Sequence, residues 1–300
     1  MAKRNPFLSE TILLLLFLVP LLLVLATTDL YPLAFSTYLS TTSWSLIDRG
    51  ASAHWVGLSN FQNVLRDTIF LDSFRTSLKF SLGATAAELI LGLIIAYMVV
   101  GESKTMRVVR TILLIPMFIP GVVVGTMWRM MLNVNAGIAN YLLSKVGIPP
   151  LSWFSAPGTA LPSTILVDIW YSTPFVMIIL VAGITTLPAN PVRAAMVDGA
   201  SRWQIFRYIM LPLLAPIITV AALFRFIGSF FVLDHIYTTT YGGPGFMTNV
   251  MSFHLYRQGL SHFKLSYVAA ASWLMIGFSL IVIVVLTAIR RLLERSAATG

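Results

Sequence analysis

Three ionisable residues, Glu88, Asp168 and Arg225, lie inside long apolar runs, where a charge is costly unless it faces a partner or a polar cavity. Asp168 falls about six residues after the start of one run, and Arg225 about eight before the end of another. At 1.5 Å per helical residue those depths are ~9 and ~12 Å, matched closely enough for the two to pair. Two kinds of chemistry fit. One is a salt bridge between helices; the other is a polar cavity whose carboxylate and guanidinium hydrogen-bond the hydroxyls of a ligand. The spacing leaves both open. Glu88 reads as an interhelical hydrogen-bond partner rather than a ligand. Arg129, at a helix end, can extend its charged head to the interface and is given no role.

Other chemistries lack their residues. There is no G-x-x-x-x-G-K-[ST] loop to cradle phosphates, no H-E-x-x-H pair and no G-x-S-x-G elbow. Cysteine is absent, which removes both a thiol nucleophile and a disulfide framework. His54, His235, His254 and His262 show no ligand-like spacing, fall between the apolar runs and read as solvated loop residues. No metal site and no cofactor bound by this chain is expected, and it is not expected to be an enzyme.

The elements that position these residues follow from composition. Of 300 residues, 57% are hydrophobic and 10% charged, against about 25% charged in soluble domains, and the mean hydropathy is +0.85. A disordered chain, a disulfide scaffold and most cytosolic enzymes are excluded. The net charge of +9 is spread over the ends of apolar runs rather than gathered in a basic tract, so nucleic acid is not an expected partner, whereas membrane lipids are. Since ~20 apolar residues cross a bilayer, six spans are predicted, near 12–36, 76–100, 108–132, 162–186, 211–233 and 267–289, in a single all-α membrane domain covering 1–300. Pro20 and Thr27-Thr28-Asp29 interrupt the first, which has no small-x-small cleavage pattern and reads as a retained helix.

Lys3, Arg4, Lys104, Arg107, Arg110, Arg193, Arg202, Arg207, Arg290, Arg291 and Arg295 collect at one set of connections. Arg49, Arg66, Arg75, Lys79, Lys145, Arg257 and Lys264 are spread over the longer opposite loops. The positive-inside rule places both termini and the second and fourth connections in the cytoplasm. The outer connections carry Trp44, Trp55, Trp153, Phe154 and Tyr241, aromatic residues that suit the bilayer interface. In the third span Gly121 and Gly125 make a small-xxx-small pair for close helix packing, and Pro116 and Pro120 are expected to kink the same helix.

The fourth connection, 187–210, is predicted to be a helix–turn–helix. Pro188 and Pro191 end the fourth span and pre-set a short helix, Asp198-Gly199 marks a turn, and Ser201 can cap the next helix. Ala194, Ala195 and Ala200 keep one surface low, as seating in another protein's cleft requires. A connecting loop lying on the membrane is the plainer alternative.

This stretch resembles the cytoplasmic coupling loop of binding-protein-dependent ABC importer permeases. Their pattern is Glu-Ala-Ala, three residues, Gly, nine residues, then Ile-x-Leu-Pro; Ala194, Ala195, Gly199, Ile209, Leu211 and Pro212 stand at those positions. Asp198-Gly199-Ala200 matches the commoner extended form, and the leading acid is replaced by Arg193. Further stretches are similar to the maltose-type and glycerol-phosphate-type carbohydrate-uptake branch. They are Val56-Gly57-Leu58-Ser59-Asn60-Phe61, Leu114-Ile115-Pro116 through Pro120 and Trp128, Gly137-Ile138-Ala139-Asn140, Trp170 to Phe175, and Gly242-Gly243-Pro244-Gly245 with Tyr256 and Phe263. The likeness covers about residues 55–290.

The resemblance implies a type I ABC importer transmembrane domain in a bacterial or archaeal cytoplasmic membrane. The implied partners are a second homologous permease, a dimer of ATPase subunits that bind the ATP and magnesium, and an extracytoplasmic solute-binding protein. It also implies that Arg193, Ala194, Ala195, Asp198, Gly199, Ala200, Arg202 and Phe206 form the ATPase-docking surface. Asp168 and Arg225 are then candidates for hydroxyl contacts on a sugar or polyol, with Trp170 or Tyr171 stacking on its ring. A carrier of glycerol-phosphate-type anions, which gives Arg225 a role, and a self-sufficient secondary transporter are the alternatives.

Overall fold

A computed structural model describes residues 6–44, 53–101 and 103–299, with side chains over 12–44, 53–101 and 103–292. Lys3, Arg4 and Arg49 lie outside the described residues, as does the side chain of Arg295. Two compact units are present.

The first unit comprises residues up to Asp67 together with Arg257–Ile276. Helix α1 (Pro6–Leu25) passes through a π-turn at Ala26–Leu30 into α2 (Tyr31–Ser40), so the first apolar span runs over Ile12–Ser40, longer than expected. Thr27 and Thr28 bond back to carbonyls one turn earlier, the kind of back-bonding that bends a helix. A two-residue hairpin pairs β1 (Thr42–Ser43) with β2 (His54–Trp55), followed by α3 (Ser59–Arg66). The Val56–Phe61 motif works here as a staple. Gly57 takes φ +59°, and the Asn60 amide donates to the carbonyls of Ser40 and Thr42 at 2.9 and 3.0 Å. Ser266 exchanges hydrogen bonds with the backbone of Trp44, and the Tyr267 hydroxyl donates to Asp67 at 2.7 Å.

The second unit, Thr68–Tyr256 with Gly277–Gly300, contains α4 (Thr68–Val99), α5 (Lys104–Leu114), α6 (Gly121–Met131), α7 (Ile138–Lys145), α8 (Ala160–Thr185), α9 (Ala189–Val197), α10 (Arg202–Ile205), α11 (Leu211–Phe230), α12 (Asp234–Thr239) and α13 (Met251–Tyr256). The last helix, α14 (Leu265–Thr299), begins in the first unit's residues and ends in the second's. Helix α4 starts eight residues before the predicted second span. Asp72 and Arg75 lower the hydropathy of that stretch without breaking the helix, and the two pair at 2.8 Å on its surface. Among the described residues, five helices are long and apolar enough to cross a bilayer.

The sixth, the predicted span at 108–132, is not one helix. Lys104–Phe118, which closes with a 3-10 turn at Ile115–Phe118, and Gly121–Met131 meet at 94°. The break lies between Pro116 and Pro120, so the expected kink is a sharp bend. Small residues set the packing. A Cβ on Gly121 would come within 2.6 Å of the Asp234 carboxylate, and one on Gly125 would collide with Thr238, so α6 lies directly on α12. Likewise Gly92 lets α4 meet Val176 of α8, and Gly183 lets α8 meet Ile217 of α11. One buried cluster joins Ala96, Val99, Val176, Met177, Leu180 and Ala221. A second joins Phe80, Ala84, Val232, Ile236, Val250 and Phe253.

Candidate functional site

The three intramembrane charges converge in the second unit. Arg225 Nε donates to Glu88 Oε2 at 2.5 Å, and Nη2 donates to Glu88 Oε1 at 2.9 Å and to Asp168 Oδ2 at 3.0 Å. Glu88 is fully buried, Asp168 is 3% exposed and Arg225 9%. The fork of a guanidinium matches a carboxylate in two parallel bonds, so the α11–α4 contact is held in orientation as well as distance. Asp168 is the more richly surrounded acid. Ser172, one turn on, donates to Oδ1 at 3.3 Å, and His235 Nε2 lies 3.5 Å from the same oxygen. The other ring nitrogen of His235 is 3.3 Å from the Gly121 carbonyl, so the imidazole faces an acceptor on both sides. Ser229 donates to the Arg225 carbonyl at 2.8 Å and approaches Thr85 at 3.4 Å. Four helices, α4, α8, α11 and α12, are thereby tied through one polar cluster.

The expected Asp168–Arg225 pair is present, and Glu88 partners the same guanidinium. The histidine reading is corrected. His235 is 3% exposed and His254 is fully buried, because the chain past the fifth span folds into α12 and, after a turn, α13, which pack inward instead of forming a solvated loop. The sequence signal was indirect and did not single out His235. Two buried carboxylates against one arginine leave a surplus negative charge, and such a group needs a further donor.

Trp170 and Tyr171 diverge. Tyr171 lies edge-on to His235, ring centres 5.0 Å apart. Trp170 meets Trp128 edge-on at 5.7 Å, and the two line a cavity of about 360 Å³ with Leu91, Ile95, Pro116 and Pro174. That cavity sits at the bend of the third span and is almost wholly apolar, and neither Asp168 nor Arg225 lines it. The charge cluster and the tryptophan cavity are thus separate features. Arg129 is exposed and donates to the Thr238 carbonyl at 3.3 Å.

The connection 187–210 folds as expected into helix, turn and helix. Pro188 stands at the N-cap of α9, and α9 carries Arg193, Ala194 and Ala195. Its C-terminus is a Schellman closure: the Gly199 N–H bonds to the Met196 carbonyl at 3.2 Å and the Ala200 N–H to that of Ala195 at 2.9 Å. Asp198 is the C-cap, and Gly199 takes φ +79°, a left-handed conformation that costs other residues dearly. Ser201 then starts α10 with a capping box. Its hydroxyl accepts from Gln204 N at 3.3 Å, while Gln204 Oε1 accepts from Ser201 N at 2.7 Å. No residue of α9 is buried; Met196 is 60% and Val197 87% exposed. Arg202 is exposed, whereas Phe206 turns to α4, stacking on Trp203 and meeting Tyr97 edge-on.

Residues 88–299 match the family model for the binding-protein-dependent transport system inner membrane component. A probable ABC transporter permease protein of Sinorhizobium fredii, y4oQ, is 39% identical over 83% of this chain and 80% of its own length. The trehalose/maltose transport system permease protein MalF of Thermococcus litoralis is 36% identical over 68% and 70%. The crystal structure of a bacterial alginate ABC transporter, in complex with an alginate pentasaccharide-bound periplasmic protein, superposes with a TM-score of 0.82 over 97% of this chain and 98% of that one; at 21% identity, the likeness is one of fold. With its bent third span, its capped helix–turn–helix and these relatives, the chain belongs to the family of binding-protein-dependent transport system inner membrane components.

Proposed function

We propose that this chain is the permease subunit of an ATP-driven importer of a sugar or polyol, with both termini in the cytoplasm. A second homologous permease completes the pathway, a pair of ATPase subunits binds and hydrolyses ATP, and an extracytoplasmic binding protein delivers the solute. The observation that carries this reading is the segment 188–205. It is rigid, being closed by a Schellman motif and a capping box, yet buries no residue of α9. A helix held this firmly with its apolar Met196 and Val197 in water is built to seat in another protein. ATP then drives transport by favouring one packing of the membrane helices over another, a difference in free energy that a rigid docked helix can transmit.

The sugar reading draws on the relatives that carry trehalose, maltose and starch degradation products. A relative of Yersinia pestis, 30% identical, serves sn-glycerol-3-phosphate. The Arg225 Nε and Nη2 are already committed to two carboxylates, which leaves little of that cation for a phosphate. We read the Arg225 cluster as a helix lock and the cavity at Trp128 and Trp170 as the better place for a sugar ring.

The test is to extract the tagged chain gently from its native membrane and identify its companions by mass spectrometry. A second permease and an ATPase are expected. The reconstituted complex, with its binding protein and ATP, should then accumulate a sugar or polyol in vesicles. Recovery of the chain alone across several mild detergents would overturn the importer reading.

A further inference from the structure

A second groove, of about 540 Å³, lies between the end of α4 and the start of α10. Its long wall is a stripe on α4, Ile90, Ile94 and Met98, one helical turn apart and 61%, 51% and 69% exposed. Its mouth is polar and aromatic: Tyr97, Arg202 and Trp203 line it. Trp203, 65% exposed, stacks on Phe206, which meets Tyr97 edge-on at 5.4 Å. Among the described residues no acid pairs with Arg202. Neighbouring cations are occupied. Arg110 Nη2 donates to the Gly101 carbonyl past the end of α4 at 2.9 Å, and Arg207 lies over the Tyr208 ring.

We infer that this groove binds a membrane phospholipid with an anionic headgroup, its acyl chain along Ile90, Ile94 and Met98 and its phosphate on Arg202. The occupant must be aliphatic along the shaft and negative at one end. Aromatic residues mark where that end sits, since such rings gather at the level of the headgroups. Cationic pockets between spanning helices at a membrane face hold anionic lipid in this manner. The inference uses only the membrane placement of α4 and of residues 202–206 beside it; it is independent of the transported solute and assigns Arg202 to lipid instead of the ATPase-docking surface that the resemblance implies.

The experiment takes the assembled transporter, extracted mildly, and labels it with phosphatidylglycerol carrying a photoreactive acyl chain, then with the matching phosphatidylcholine. Phosphatidylglycerol is expected to label α4 between Ile90 and Met98, and phosphatidylcholine far less. Arg202→Gln should lower the labelling about fivefold, Arg202→Lys should retain it, and Ile94→Trp, which fills the shaft away from α10, should abolish it. Equal labelling by the two lipids, unchanged labelling of Arg202→Gln, or a neighbouring subunit found crosslinked over Met98 would overturn the assignment. The ATPase band is scored in the same preparations. Its absence with lipid labelling intact counts against the docking reading alone; its presence without labelling counts against the lipid site alone.

Discussion

The charge cluster around Arg225 and the helix–turn–helix at 188–205 manage their polar groups in opposite ways. In the cluster, carboxylates, guanidinium and imidazole face one another across four helices and are shut away from solvent. In the helix–turn–helix, the polar groups that matter are backbone N–H and C=O, satisfied within five residues of chain by one another and by the Ser201 and Gln204 side chains, while the side chains of α9 stay unburied. The first is a long-range bond whose partners are all internal. The second is a short-range frame that leaves a surface free. A side-chain substitution should therefore be severe in the cluster and mild on the frame, unless it alters the frame's backbone.

The largest effect is expected from Arg225→Met, which strands two buried carboxylates. Breaking a buried pair this way costs about 3–5 kcal/mol, read as a fall in the thermal midpoint of the purified protein. Adding Glu88→Gln and Asp168→Asn should restore much of the loss; a triple variant no better than the single one would show that the cluster does more than lock helices. Next comes Gly125→Leu, whose side chain meets Thr238 and the His235 backbone. Overpacking of about 1–3 kcal/mol is expected, together with separation of α6 from α12 measurable by a reduced crosslinking yield between them. Gly199→Val should cost about 1–2 kcal/mol through backbone strain alone, since nothing surrounds a Cβ there. Membrane insertion should survive while ATP hydrolysis uncouples from transport, and Gly199→Asn, which tolerates the left-handed conformation, should be milder. The smallest effect is expected from Arg193→Glu, an exposed site where stability should change within about 0.5 kcal/mol and only ATPase co-purification should respond. A large drop in its thermal midpoint would break the contrast between the two regions.

The frame was legible in the sequence because its signals are local. Pro188, Gly199 and Ser201 act on neighbours within a few residues, and each stands where its chemistry required. The cluster was legible in part. Equal depths matched Asp168 to Arg225, but depth says nothing of azimuth, so the bidentate hold of Glu88 on the same guanidinium was out of reach. His235 was misread because its burial depends on α12 folding back against α6 and α8, a tertiary event with no periodic trace in six residues. The prolines announced a disturbance in the third span, yet the 94° angle depends on Gly121 and Gly125 lying against α12. Asn140, quoted only as part of a motif, turns out to hold the connection between α6 and α8. Its amide donates to the carbonyls of Val134 and Leu151, and its oxygen accepts from Leu151 N and the Trp153 indole.

The break in the third span also bears on how a bilayer tolerates it. Hydrocarbon supplies no acceptors, so an interrupted helix exposes donors that each cost several kcal/mol. Here the two residues that interrupt the chain have no amide hydrogen to expose. Ile119 N–H, lying between them, bonds to the Pro116 carbonyl at 3.2 Å, and the N–H groups of Val123 and Val124 both turn to the Pro120 carbonyl. The prolines act as insulation, bending the chain while subtracting the very groups a bend would bare. Replacing Pro120 with alanine, ordinarily a relief for a helix, here adds a polar hydrogen to be housed.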